Sequence, residues 1–423
     1  MLGIVTSRTT APDVLVVGCG VAGMSIARQL ALQGANVVAL DRSEPGTQAS
    51  PRAAGQSVSA QVDPAIGTLM RRSMDRIAGF ADETGVPLPF HRVGSVKYAC
   101  SEWAAGVIER EVERAAAEGT RVEVVTLEQA AELAPHTDPA NAVAAWHSPD
   151  DLYFQPPDMV DAFRRAADDV GVRFVIGPEV AEVTGTGVRT TRGERIASGV
   201  VVVAAGAWTA GLLERSGVPP LPLTYVRHQA TLRSGIAGIH PDLPSVRVID
   251  ESVYARPEGD RLMFGTYEPR PLEFAAEAIP GRSDQVPLDP TPIEEARHRV
   301  ESLFRGLAGS VVSEIRGAVV TMTPDRGYLI DEAPGLPGLY FFTGCNVLGL
   351  STAPAIGEDI ARWIVSGERP ATLAGFGLAR FEAAGWSAEE VRRHALAQYE
   401  RTYRDDETVD RVRQHGEAAP RVG

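Results

Sequence analysis

At 423 residues, 44% of them hydrophobic, the chain can bury a core large enough for one large domain or two interleaved ones, which excludes disorder as its general state. A formal net charge of -14 excludes a protein that tracks nucleic-acid phosphates or an anionic bilayer and leaves room only for a local basic pocket. Lys97 is the sole lysine and lies in "GSVKYAC", and the eight histidines form no HExxH pair, which removes a phosphate-loop NTPase and a zinc hydrolase. Cys19, Cys100 and Cys345 have no metal-ligand spacing and read as reduced thiols. No apolar run reaches the roughly 18 residues of a membrane span, and "MLGIVTSRTTAPDV" lacks the pattern of a signal peptide. The expectation is a cytoplasmic protein without metal, nucleic acid or membrane partner.

Residues 14–41 make one compact unit: an apolar strand "VLVVG", a glycine turn, a helix to about Leu32 and a second strand "NVVALD". Gly18, Gly20 and Gly23 form G-x-G-x-x-G at the strand-to-helix junction, with Val21 and Ala22 opening the helix and Asp41 ending the second strand. The glycines permit a tight turn and close backbone approach, the helix N-terminus faces a pyrophosphate, and the Asp41 carboxylate can accept ribose hydroxyls. That carboxylate repels a 2′-phosphate, so Arg42 reads as a surface or cofactor-phosphate contact. FAD and NAD both remain open on this motif.

After residue 41 the alternation of strand and helix lapses, so another region must complete the sheet. Helical patterning covers 61–85 and 102–118, followed by a short strand "RVEVVT" and a helical "LEQAAELAP". "PPDMVDAFRRAADDVGVRFVIGPEV" predicts a helix leading into a strand, and "ASGVVVVAAGAWT" a strand buried on both faces. Over about 220–320 the strands "YVRHQATLR", "SVRVIDESVYARP" and "RLMFGTYEP" alternate with proline and glycine turns, predicting a separate antiparallel sheet with a helix near 291–307. Residues 323–366 return to strand, loop and helix. After "LARF" at 378–381 comes a charged helical tail, read as a solvated face or a partner contact.

In these segments the sequence resembles the FAD-dependent D-amino-acid oxidase and sarcosine oxidase superfamily, with the dimethylglycine and sarcosine dehydrogenases as its nearest group. The resemblance runs to about residue 381 through "VGCGVAG...LD", "ASPRAAGQ", "VVVAAGAW", "VYARPEGDRLMFGTYE" and "TPDRGYLID...GLYFFTGCNVLGLSTAPAIGEDIARWI". That group continues into a folate-binding region, for which this chain is expected to be too short. The resemblance implies an α/β fold: a Rossmann-like FAD domain assembled from 1–90, 150–215 and 323–381, an antiparallel-sheet substrate domain from 91–149 and 216–322, and a charged helical tail over 382–423.

It also implies that "ASPRAAGQ" lies against the flavin, with Ser50 and Arg52 near the pyrophosphate and Ala54, Gly55 and Gln56 beneath the ring. Val180, Ala205, Gly206 and Trp208 would meet the adenosine or flavin. Gly344, Leu348, Gly349 and Leu350 would form a second loop whose helix points its positive end at the flavin. Relatives with covalent FAD carry a histidine where Arg52 stands or a cysteine where Ala318 stands, so noncovalent FAD is expected.

For the substrate, Tyr254 matches the tyrosine that binds the carboxylate in glycine oxidase-like relatives, and Arg256 alternates onto the same face of its strand. The usual arginine before "TPD" is Val320 here, and the relatives' lysines fall at Ser351 and roughly at Met263. Arg227, His228, Arg256 and Tyr267 are the candidate replacements. The implied reaction is oxidation of the C–N bond of an amino acid or N-alkyl amine by hydride transfer to flavin N5, giving an imine that hydrolyses. Oxygen or an electron carrier would then accept the electrons. The alternatives are oxidation of a 2-hydroxy acid or polyol with His228 as base, or a flavin-containing subunit with a decayed substrate site.

Overall fold

The structure is a computed structural model that describes residues 11–382 and 385–403; the predicted tail beyond 403 lies outside the described residues. The valine-rich strand Val14–Val17 lies inside a six-stranded sheet, paired in parallel with Val37–Asp41 on one side and Val200–Val203 on the other. Arg173–Ile176 extends the sheet beyond the former, and Leu339–Thr343 extends it beyond the latter, again in parallel. The edge strand Leu329–Glu332 runs antiparallel. The central strands are unbroken apolar runs because helices and a small sheet cover both their faces.

On one face lie the helices Val21–Leu32 and Gly349–Ser366, which touch at Gly357, where an added Cβ would stand 2.2 Å from Ser25 Oγ. On the other face lie Thr209–Arg215 and a three-stranded sheet over 180–197. The last segment of the described fold thus returns to the first, and the sheet left open after residue 41 is completed by pieces from three later regions.

A nine-stranded sheet forms the second layer. Its longest pairing joins Thr224–Ser234 to Val311–Met322, antiparallel from Thr224 opposite Met322 to Ser234 opposite Val311. Arg261–Thr266, Val253–Glu258 and Ser245–Val248 follow in antiparallel order. The sheet is not purely antiparallel as predicted. Ser95–Ala99 joins Ser245–Val248 in parallel, with Lys97 opposite Arg247, and Ala144–Ser148 and Glu123–Val125 follow. A three-stranded patch pairs Gln56 with Tyr153 and links the "ASPRAAGQ" loop to this layer.

Three expectations change. The helix near 291–307 ends at Val300, and Val180 opens its own strand, Val180–Thr184, instead of closing the one before it. The tail is also not simply a solvated face. Ala388–Glu400 is a helix started by a capping box between Ser387 and Glu390, but it buries Ala395, Gln398 and Tyr399 against the large sheet. No helix among the described residues is long and apolar enough to cross a membrane, and no His/Cys/Asp/Glu cluster among them could hold a metal.

Candidate active site

A cavity of about 980 Å³ opens at the carboxyl ends of the parallel strands and runs to the face of the nine-stranded sheet. Six cationic side chains line it against four carboxylates, a basic interior in an acidic chain. Its first half is made of backbone. Gly18 has φ +105 and lies so close to the next strand end that an added Cβ would stand 2.5 Å from the Ala204 carbonyl oxygen. Gly18, Gly20, Val21 and Ala22 line the cavity; Gly23 does not, because it meets Gly18 O, 1.9 Å from where its Cβ would be, and serves helix-to-strand packing.

The helix Val21–Leu32 has no side-chain cap and no acid in its first turn, so its positive end faces the cavity with only Val21 N–H drawn to Ser50 Oγ, 3.2 Å away. Asp41 accepts the Cys19 N–H through Oδ2 at 2.7 Å and the Ser43 N–H through Oδ1 at 3.0 Å, which orients the carboxylate while leaving lone pairs for a further donor. Arg42 pairs with Glu179 at 2.9 Å and lies over the Trp208 ring at 4.8 Å. Arg52 lines the cavity, but its guanidinium donates to the carbonyls of Thr47 and Gln48 and so braces its own loop. Val180, Ala205, Gly206 and Trp208 all line the same half, and the Trp208 indole N–H is buried without a partner.

Two loops floor the middle. In the first, Ala54 and Gln56 line the cavity, whereas Gly55, at φ +66, is turned under it with an added Cβ 2.3 Å from the Phe154 carbonyl oxygen. In the second, Leu348, Gly349 and Leu350 line the cavity, whereas Gly344 packs on Thr323. Ser351 Oγ donates to Gln56 O at 2.7 Å and ties the two loops together. Asn346 and Val347 have φ of 46 and 62, left-handed values that are rare for any side chain and strained for a β-branched one. Asn346 holds this turn: its Nδ2 donates to Gly344 O at 2.7 Å and its Oδ1 accepts the Thr323 N–H at 2.9 Å.

The far half is made of side chains. His228 stands between two phenols, with Nε2 2.9 Å from the Tyr254 hydroxyl and Nδ1 2.9 Å from the Tyr399 hydroxyl. Tyr399 can also donate to Arg227 O at 3.3 Å; in the tautomer that uses this bond it accepts from His228 Nδ1–H, and Tyr254 donates to Nε2. Burial lowers the imidazole pKa to about 4; it faces the cavity but is remote from bulk water, and it is neutral at pH 7. Tyr254 fits because its cross-strand partner is Gly265, where a Cβ would meet the phenol at 2.3 Å. Tyr267 packs on His228 at 5.1 Å, Tyr399 at 5.4 Å and Tyr403 at 5.4 Å, giving an aromatic wall.

Two expected cations are elsewhere. Arg256 does share the face of Tyr254, but it is fully buried outside the cavity, pairing with Glu258 at 3.0 Å and donating from Nε to Ala54 O. Arg227 is consumed by Glu268 at 3.0 Å. The cavity instead receives Arg247 and Lys97, neither of which was expected there. Lys97 pairs with Glu111 at 2.5 Å and lies over Trp146. Arg247 donates from Nη2 to Gln56 Oε1 at 2.7 Å and from Nε to the Tyr403 hydroxyl at 3.2 Å. The overlooked signal was a charged residue in "SVRVID", between valines that are fully buried.

A family described as "FAD dependent oxidoreductase" matches residues 13–363. The chain belongs to this family. Among relatives of this flavoprotein, 4-methylaminobutanoate oxidase (formaldehyde-forming) of Paenarthrobacter nicotinovorans is 28% identical over 84% of this chain and 43% of that protein. Human mitochondrial sarcosine dehydrogenase is 31% identical over 52% of this chain and 23% of that protein. The flavoprotein therefore spans less than half the length of these relatives. Glycine oxidase from Geobacillus kaustophilus shares its fold with TM-score 0.76 and 24% identity, over 87% of this chain and 99% of that one. L-proline dehydrogenase from P. horikoshii does so with TM-score 0.79 and 22% identity, over 88% and 98%.

The residues present fit FAD. The side-chain-free turn at Gly18, the uncapped helix, the oriented Asp41 carboxylate and the orphan Trp208 N–H form a cradle for an adenine dinucleotide. The second uncapped helix N-terminus, at Leu348, gives the middle of the cavity a positive end.

Proposed function

We propose that this flavoprotein oxidises the C–N bond of an N-alkyl amine or amino acid, with FAD bound noncovalently. The observation that carries the reading is His228, held neutral with both ring nitrogens engaged by phenols. A hydroxy-acid dehydrogenase needs a base to take the alcohol proton, and His228, the one imidazole among the described residues that line the cavity, is already committed. An amine that enters neutral needs no such base.

Bound FAD supplies the two-electron acceptor for the carbon next to nitrogen. The protein does the rest. In the tautomer in which Tyr254 gives its proton to His228, its oxygen presents lone pairs to the cavity, suited to an amine N–H and not to a carboxylate. The family match sets Tyr254 at the substrate carboxylate; the present reading gives it the nitrogen end. Tyr267 and Val347 stand beside it, and the aromatic wall offers apolar packing to the N-alkyl groups of a neutral amine. The uncapped N-termini at Gly20 and Leu348 stabilise negative charge on the cofactor side. On the family alignment the attachment positions are Arg52 and Ala318. The first is tied to carbonyls and the second has no nucleophile, which supports dissociable FAD.

Anaerobic mixing with amino acids, N-methyl amines and 2-hydroxy acids tests this. Loss of the oxidised-flavin absorbance with an amine is the expected result, and loss only with hydroxy acids overturns it. Release of flavin from acid-denatured protein checks the noncovalent part.

A further inference from the structure

The buried cations of the large sheet follow a rule that one of them breaks. Lys97 pairs with Glu111, Arg227 with Glu268, Arg233 with Glu294 and Arg256 with Glu258. Arg247, only 5% exposed, has no carboxylate partner among the described residues. The nearby Asp151 carboxylate is taken up by Ser59, Ser95 and Ser148. Burial works against the Arg247 charge, but the Tyr403 hydroxyl and the Asp151 charge more than offset it, so the guanidinium is held charged with no described carboxylate in direct contact and with room for a second anion.

The open hydrogen-bonding capacity points the same way. Arg247 Nη1 is buried without a partner, and so is Gln56 Nε2. The two side chains are locked to each other through Gln56 Oε1 and Arg247 Nη2, and both line the cavity. One open donor on each of two side chains bonded to each other suits the two oxygens of one carboxylate; a dianionic phosphate would leave its third oxygen and second charge unmet.

We infer that Arg247 and Gln56 together bind a carboxylate of the amine substrate, with Tyr403 positioning the guanidinium from the C-terminal segment. Cross-strand register sets Arg247 opposite Tyr254, so one end of the substrate meets the cation while the nitrogen end meets the phenol oxygen. The site replaces the arginine that the family pattern puts where Val320 stands. It also draws on Tyr403, which lies outside the family match.

This rests on the C–N reading only for the identity of the substrate's other end, so the test uses acetate, which requires no turnover. Acetate is titrated into oxidised holoprotein, followed by the flavin absorbance bands and by the rise in Tm, with acetamide as the neutral control. The expected result is saturable binding of acetate and a Tm rise that acetamide does not give. Arg247→Met should weaken acetate about 10- to 100-fold with unchanged FAD content, and Arg247→Lys should recover part of the loss. Tyr403→Phe should weaken acetate by less, about 3-fold, with preference over acetamide retained. The inference is overturned if acetate does not bind the native protein, if acetamide matches it, or if Arg247→Met binds acetate equally. Loss of FAD from Arg247→Met would move Arg247 to the cofactor instead. Bleaching by amines without any acetate binding would sink this inference and leave the C–N reading standing.

Discussion

The two ends of the cavity are built from different materials. The dinucleotide end uses backbone: a turn too tight for a side chain at Gly18, two helix N-termini without caps, and a carboxylate fixed by N–H groups. The substrate end uses side chains brought from widely separated strands and a returning helix: Lys97, His228, Arg247, Tyr254, Tyr399 and Tyr403. Backbone recognition survives wide sequence change because most residues supply the same groups. Side-chain recognition is rewritten by single substitutions, which is where a change of substrate enters.

The comparison can be broken most forcefully at its backbone end. Gly18→Val places a β-branched residue at φ +105 with its Cβ against Ala204 O, so purified protein should carry no flavin; normal flavin occupancy would show that the turn does not set cofactor binding. Acid acts through His228 at the other end and through His136, which lies outside the cavity beside Phe304; both are lowered to about 4 by burial. A histidine whose folded pKa lies below its unfolded value of about 6.5 stabilises fully above about pH 6.5, and that stability is lost as pH falls toward 4. The order of magnitude is about 3 kcal/mol for each. Urea melts between pH 7 and 4 should show the fall, and His228→Gln should flatten it while leaving the part due to His136.

Arg256→Met removes a donor to Ala54 O and one of the guanidinium partners of Glu258, and should destabilise by about 2 kcal/mol without changing acetate affinity. An effect on affinity alone would return Arg256 to the substrate site. Tyr254→Phe should lower amine kcat/KM about 10-fold with full FAD content. The smallest effect belongs to Val347→Gly, which relaxes a left-handed β-branched residue and should shift stability by about 1 kcal/mol or less, measured as Tm.

The materials also explain what could be read beforehand. The dinucleotide end is legible because its turn, helix and acidic strand end are contiguous, and Trp208 and Gly206 follow a strand whose burial is plain from "VVVV". Arg256 was placed on the correct face, but two residues along a strand is about 7 Å, enough to carry it from the cavity to beneath the Ala54 loop. Arg247 and Lys97 could not be read together because their proximity depends on a parallel pairing of residues 95–99 with 245–248, which no local pattern announces. Charge outside and an apolar stripe inside look alike for a helix lying on any surface, so "HALAQYE" did not reveal that its tyrosine reaches His228.

That returning helix bears on how such proteins diversify. The inherited unit, residues 13–363, can keep its flavin chemistry while whatever segment follows it is exchanged, and the exchange alone would re-face the substrate chamber. In this chain the follow-on segment lends Tyr403 to that chamber and sets Tyr399 behind its His228. Swapping residues 387–403 between relatives is therefore a route to altered selectivity that leaves every flavin contact named above untouched.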